Sequence, residues 1–152
     1  MDEPQLSVAL QAEYLHIQKT IEDFDARALT IKAWSVTFGL ASIAGAFASH
    51  ASVVFLISSL GAVLFWYLET TWKVFQLAYY ARSERIEKHF RTKEKLTAPF
   101  QIGASWQRRW EGMTRAEVRW VSLWPHVALP HALVLALGIV LFVLSSVGVI
   151  NP

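Results

Sequence analysis

Residues 33–68 read AWSVTFGLASIAGAFASHASVVFLISSLGAVLFWYL and contain no Asp, Glu, Lys or Arg. An uncharged, mostly apolar run well beyond the ~20 residues that cross a hydrocarbon core predicts membrane insertion. As one helix the run is too long for a bilayer. Ser49-His50-Ala51-Ser52 gives it a polar tip, so two spans are expected, 34–48 and 53–68, folded as a helical hairpin. A second uncharged stretch, 120–152, holds a third and more hydrophobic span over 127–149 (VALPHALVLALGIVLFVLSSVGV).

The rest of the 152-residue chain agrees with this reading: 54% of residues are hydrophobic, 17% are charged, and cysteine is absent. Missing cysteines exclude a disulfide framework and a thiolate-held metal. Too little polar chain remains for a soluble enzyme domain. Residues 73–119 carry eleven Lys/Arg against five Asp/Glu, while the 49–52 tip has no basic side chain. The positive-inside asymmetry therefore predicts a membrane protein with a cytoplasmic N-terminus and 73–119 segment, and an extracytoplasmic C-terminus. Trp34, Trp66, Tyr67, Trp72, Trp120 and Trp124 all fall at one interface in that topology, where amphipathic rings prefer to sit. A cleavable signal peptide is not expected, because a mostly acidic stretch precedes the first span.

Neither Gly nor Pro interrupts residues 5–38 or 62–98. Leu10, Tyr14, Ile17, Ile21, Phe24, Ala28 and Ile31 alternate spacings of four and three, a heptad seam that leaves Glu13, Lys19, Glu22, Asp23 and Arg27 off it. The seam continues through Ser35, Phe38, Ser42, Gly45 and Ser49, so one helix is expected from residue 5 to 48. The second span should likewise continue to about Leu96, with Arg82 and His89 interrupting a weaker seam. Residues 1–31 hold six acids and two bases, opposite in sign to the second arm. Folding about the tip pairs Glu13 with Lys88 and Glu22 with Arg82. A turn over 97–103, broken by Pro99 and Gly103, then leads into one amphipathic segment over 104–122 lying along the membrane surface. The expected fold is thus an all-α membrane protein with three transmembrane helices, the first two extended into a long antiparallel cytoplasmic helical stalk. Its parts are a heptad helix (1–32), a transmembrane hairpin (33–68), a basic extension (69–119) and a third transmembrane helix (120–152).

Several residues carry chemical signals. Ten of the fourteen cationic side chains lie in 82–119. Arg82, Arg85, Lys88, Arg108, Arg109, Arg115 and Arg119, interleaved with Trp106 and Trp110, suit a phosphate-bearing ligand, Arg binding phosphate bidentately and Trp stacking on bases. The competing reading makes them topology determinants and lipid-headgroup contacts. Ser35, Gly39, Ser42, Gly45 and Ser49 form a small, polar stripe that serves either close helix packing or a water-lined pore. Glu69 is either an i,i+4 partner of Lys73 or an acidic ring at a pore mouth. His126 and His131 read as interfacial histidines, since five-residue spacing is not that of a helical metal pair. Pro130 predicts a bend. No catalytic constellation, metal site or cofactor site is expected, and no intramembrane carboxylate–histidine cluster.

The stretch YLHIQKTIEDFDARALTIKAWSVTFGLASIAGAFAS (14–49), continued by the helix over 53–95, resembles the SLATT group of small bacterial membrane proteins. The likeness is one of architecture: an N-terminal helix running into a two-span hairpin and then a cytoplasmic helical extension. The resemblance implies a homo-oligomeric effector in the lipid bilayer of the bacterial inner membrane that acts as a signal-gated ion channel in anti-phage defence. CBASS-type and Hailong-type settings are implied, with a nucleotide or oligonucleotide ligand and a nucleotidyltransferase as partner protein. The alternative is a non-conducting membrane anchor or scaffold that recruits a soluble cytoplasmic enzyme.

Overall fold

The computed structural model describes residues 2–92 and 98–152. Those residues form five helices and no strand: α1 (Glu3–Ser49), α2 (Val53–Thr92), α3 (Ile102–Glu111), α4 (Arg115–Ser122) and α5 (Pro125–Ser146). Three of them, α1, α2 and α5, are long and apolar enough to cross a membrane. The predicted end of the second helix near Leu96 lies outside the described residues.

Local chemistry accounts for the helix ends. Asp2 accepts the Gln5 N–H on its carboxylate at 2.9 Å, and Pro4 sits in the first turn of α1, where its missing N–H costs nothing. At the other end His50 adopts a left-handed backbone (φ 52°), and Ala51 N–H closes onto the Ala46 carbonyl at 3.1 Å. This reverses the chain over the predicted polar tip. Pro125 opens α5, which continues through Pro130.

The helices build two compact units, one from Met1–Arg27 with Trp72–Val118, the other from Ala28–Thr71 with Arg119–Pro152. In the first, Leu10, Ile17, Ile21 and Ile86 make the core, with Leu6, Tyr14, Tyr79 and Ile102 packed on it. The α1 seam is therefore the buried face here. Its bonds to α2 pair Asp25 with Lys73 (2.5 Å), the Ile21 carbonyl with Gln76 (2.9 Å), Gln18 with Ser83 (3.0 Å) and Tyr14 with Glu87 (3.0 Å).

Several expectations for this unit need correction. Glu13 is not off the buried face: it is 4% exposed and pairs with Arg82, itself 3% exposed, instead of with Lys88. The long guanidinium reaches across the interface, so Arg82 fills the seam it was expected to interrupt and does not meet Glu22. Residues 104–122 are not one segment, because Gly112 ends α3 and Thr114 starts α4 afresh. Gly103 lies inside α3 and breaks nothing.

The second unit packs α1, α2 and α5 through small residues. Val134 lies against Gly39, and Gly138 lies so close to α2 that an added Cβ would stand 2.3 Å from Ser59 Oγ and 2.8 Å from the Phe55 carbonyl. Ser58 Oγ donates to the Gly39 carbonyl (3.2 Å), and Ser59 Oγ reaches the Leu135 carbonyl (3.2 Å). The outward residues of this unit, among them Leu40, Ile57, Leu60, Leu64, Leu133 and Val140, are large, apolar and exposed.

Candidate functional site

The interior of this apolar unit holds an unbroken chain of polar contacts. Lys32 and Ser35 lie three residues apart on α1, so both face the same neighbours. Glu69 comes from α2 and His131 from α5. The Ser35 hydroxyl is 2.8 Å from His131 Nδ1, His131 Nε2 is 2.9 Å from Glu69 Oε2, and Lys32 Nζ donates to Glu69 Oε1. Ser35, Glu69 and His131 are all 0% exposed; the Lys32 side chain alone reaches the surface, at 18%.

A carboxylate only accepts, so His131 Nε2 carries the proton it donates to Glu69, and a neutral ring then leaves Nδ1 to accept from Ser35. Both Glu69 oxygens are thereby taken, one by an ammonium and one by an imidazole. The order Ser–His–Glu resembles a hydrolytic triad, but the serine has no exposed surface for a substrate to meet.

This arrangement overturns three sequence expectations. A carboxylate–histidine cluster does exist among the apolar helices, and His131 is a buried core residue, unlike the exposed His126. Glu69 does not pair with Lys73, which bonds Asp25 and Gln76 instead. The cluster joins three helices that are far apart in sequence, so no local spacing announces it. The one available signal was that Glu69 and Lys32 bracket the uncharged block, each a charge with an opposite partner across the hairpin.

The proposed pore stripe is divided. Ser35 and Gly39 are covered within the chain, Ser42 and Gly45 are half-buried, and Ser49 is exposed with its hydroxyl on the Gly45 carbonyl. Glu69, placed at a pore mouth by the sequence, is enclosed.

The basic aromatic segment is also sorted by the fold. The Glu13 carboxylate receives Arg82 Nε (2.8 Å), a second Arg82 nitrogen (2.9 Å), and the backbone N–H groups of Phe100 (2.9 Å) and Gln101 (3.1 Å). Burial alone would raise the Glu13 pKa, but Arg82 and these two amides outweigh it and hold the carboxyl below its usual range. Arg82 spends another bond on the Ala98 carbonyl (3.1 Å), which leaves it no face for a ligand.

Trp106 and Trp110 stack on each other with centroids 5.5 Å apart and planes 9° from parallel, and both lie against Phe75. Trp106 Nε1 donates to the Phe75 carbonyl at 3.1 Å. One face of each indole is thus already occupied. Arg109 binds Glu117 (2.7 Å) and is half-buried, whereas Arg85, Lys88, Arg108 and Arg115 are exposed. Arg119, in the other unit, is exposed as well. Among the described residues no group of three or more His, Asp or Glu could hold a metal ion.

Comparison of the chain with protein-family models, with curated proteins and with solved structures finds no match. What the sites do is therefore argued from their own chemistry.

Proposed function

We propose that the protein is an oligomeric inner-membrane effector, a signal-gated ion channel whose cytoplasmic helices receive a nucleotide-type ligand or a partner protein. The carrying observation is that α1 and α2 are each a single helix contributing both to the charged unit and to the apolar one. A monomeric soluble domain rarely exposes an apolar surface as extensive as that of the second unit, whereas lipid favours it. Ionisable residues enclosed among such helices mark ion or proton pathways more often than plain structure. In this reading the first unit is the antiparallel stalk, supported by partners that climb α2 as they descend α1. Val8 and Leu15, exposed one heptad apart, are offered to further copies of the chain. The exposed Arg85, Arg108 and Arg115 are offered to phosphate. The likeness to SLATT proteins adds the anti-phage setting and a nucleotidyltransferase partner.

Conductance of the purified protein in planar bilayers, with and without cyclic and linear oligonucleotides, tests the proposal. Gated currents that vanish in the Ser42→Leu/Ser49→Leu variant are expected. Silence in every condition defeats the channel reading.

A second reading, a membrane scaffold for a soluble enzyme, is favoured by the enclosure of Ser35, Gly39 and Glu69 within one chain. Half of the proposed pore lining is spent on internal packing. A scaffold would recruit its enzyme equally well with leucine at positions 42 and 49.

A further inference from the structure

The four-residue chain inside the apolar unit has a feature that simple packing does not need. One carboxylate, Glu69, serves two nitrogen donors, and the second donor, His131, is backed by a hydroxyl that can both give and accept. We propose that Lys32, Glu69, His131 and Ser35 form a proton-binding site, in which a proton taken up by the His131 ring displaces Lys32 from the shared Glu69 carboxylate. The ligand is a proton from water, and no covalent chemistry is involved. The proposal concerns a core built by the chain itself and stands whether or not the assembly conducts.

The charge balance requires an exchange. With a neutral ring, Lys32 and Glu69 cancel and every donor has an acceptor. The Ser35 hydroxyl donates to Nδ1, and Nε2–H donates to Glu69. When the ring gains a proton, Nδ1–H donates to Ser35 Oγ, whose own hydrogen turns to the carbonyl four residues back, at Ile31, as helical hydroxyls commonly do. Hydrogen bonding is preserved, so Ser35 suits both states. The charge is not preserved: two cations now share one carboxylate in a buried interior, where an unbalanced charge is strongly disfavoured.

One member can leave. Ser35, Glu69 and His131 have no exposure, whereas Lys32 is partly exposed and carries its charge on a flexible four-carbon stem. Nothing else in this unit is placed to compensate. α1 offers the cluster Lys32, α2 offers Glu69, and α5 offers His131 itself. The remaining ionisable groups of the unit, His50, Tyr67, Arg119 and His126, are exposed. Proton uptake therefore trades the α1–α2 tie through Lys32 for a charged α2–α5 tie through His131.

Nitrogen-15 NMR of the full chain in lipid nanodiscs tests this directly. His16, His50, His89 and His126 are replaced by Gln, so that His131 is the sole ring reporter; none of the four bonds to the cluster. As pH falls from about 8 to about 5, the range in which imidazoles ordinarily titrate, the ring signal should change from one protonated nitrogen to two. The slowly exchanging Lys32 ammonium signal should be lost with the same midpoint. Glu69→Gln, which removes the shared charge, should uncouple the two signals; if that variant does not fold, the parent measurement still decides. A ring that keeps one protonation state throughout overturns the proposal. So does a ring that titrates while Lys32 stays bound.

Discussion

Glu13 and Arg82 show what a single buried pair can fix. The carboxylate is surrounded by four donors, two of them backbone amides that set the approach to α3. Glu13→Ala would leave Arg82 buried without its counter-charge, a loss of about 3–5 kcal/mol for pairs of this kind. Denaturant unfolding followed by tryptophan fluorescence should register it. The pH dependence has a definite sign. Because folding lowers the Glu13 pKa, its stabilisation is complete above the unfolded value of 4.5 and fades as pH falls through the lower folded value. Melting temperatures recorded from pH 7 down to pH 3 should drop on that flank, and Glu13→Gln should flatten the slope.

At the scale of elements, α4 begins with Thr114-Arg-Ala-Glu117, a capping box. Glu117 accepts the Thr114 N–H at 2.8 Å, and Thr114 Oγ1 accepts the Glu117 N–H at 3.2 Å. The Thr114 amide, the Arg109 guanidinium and the Thr114 hydroxyl together lower the Glu117 pKa to about 2. The cap should thus survive at pH 4 and open only toward pH 2, as read by hydrogen exchange at the Thr114 amide. Glu117→Ala should remove that protection at every pH.

The Thr-x-x-Glu pattern is short, and the spread of Trp106, Trp110, Met113, Val118 and Val121 among arginines points instead to one continuous amphipathic segment. Periodicity reports which residues are apolar, not where a helix restarts. The three long helices were legible because uncharged length and, over 5–38 and 62–98, the absence of Gly and Pro are local properties. The Lys32–Glu69–His131–Ser35 contacts were not, since they depend on how α5 docks. Glycines in the apolar unit repeat the lesson. A Cβ at Gly61 meets only the Phe38 ring, which can swing aside, whereas one at Gly138 meets the Phe55 backbone carbonyl. Gly138→Ala should destabilise the unit by about 1–3 kcal/mol, as overpacking does. Gly61→Ala should be much milder, and thermal unfolding in detergent distinguishes them.

For the whole molecule, the decisive property is that two helices belong to both units. A proline at an exposed α1 position close to the division, such as Thr30→Pro, would break the helix locally, at about 3 kcal/mol or more. If the channel reading holds, that variant should still insert and assemble but lose its response to ligand in bilayer recordings. A retained response would show that the signal does not travel along α1.

The stacked indoles of Trp106 and Trp110 have an optical consequence. Two chromophores 5.5 Å apart and nearly parallel share their excited states, and with Phe75 beside them they sit in a fixed chiral setting. The pair should give an exciton band in circular dichroism, which Trp110→Phe would erase. α3 thereby carries its own label-free gauge: unwinding of the helix, or a rotamer change that turns one indole against the other, alters the spectrum.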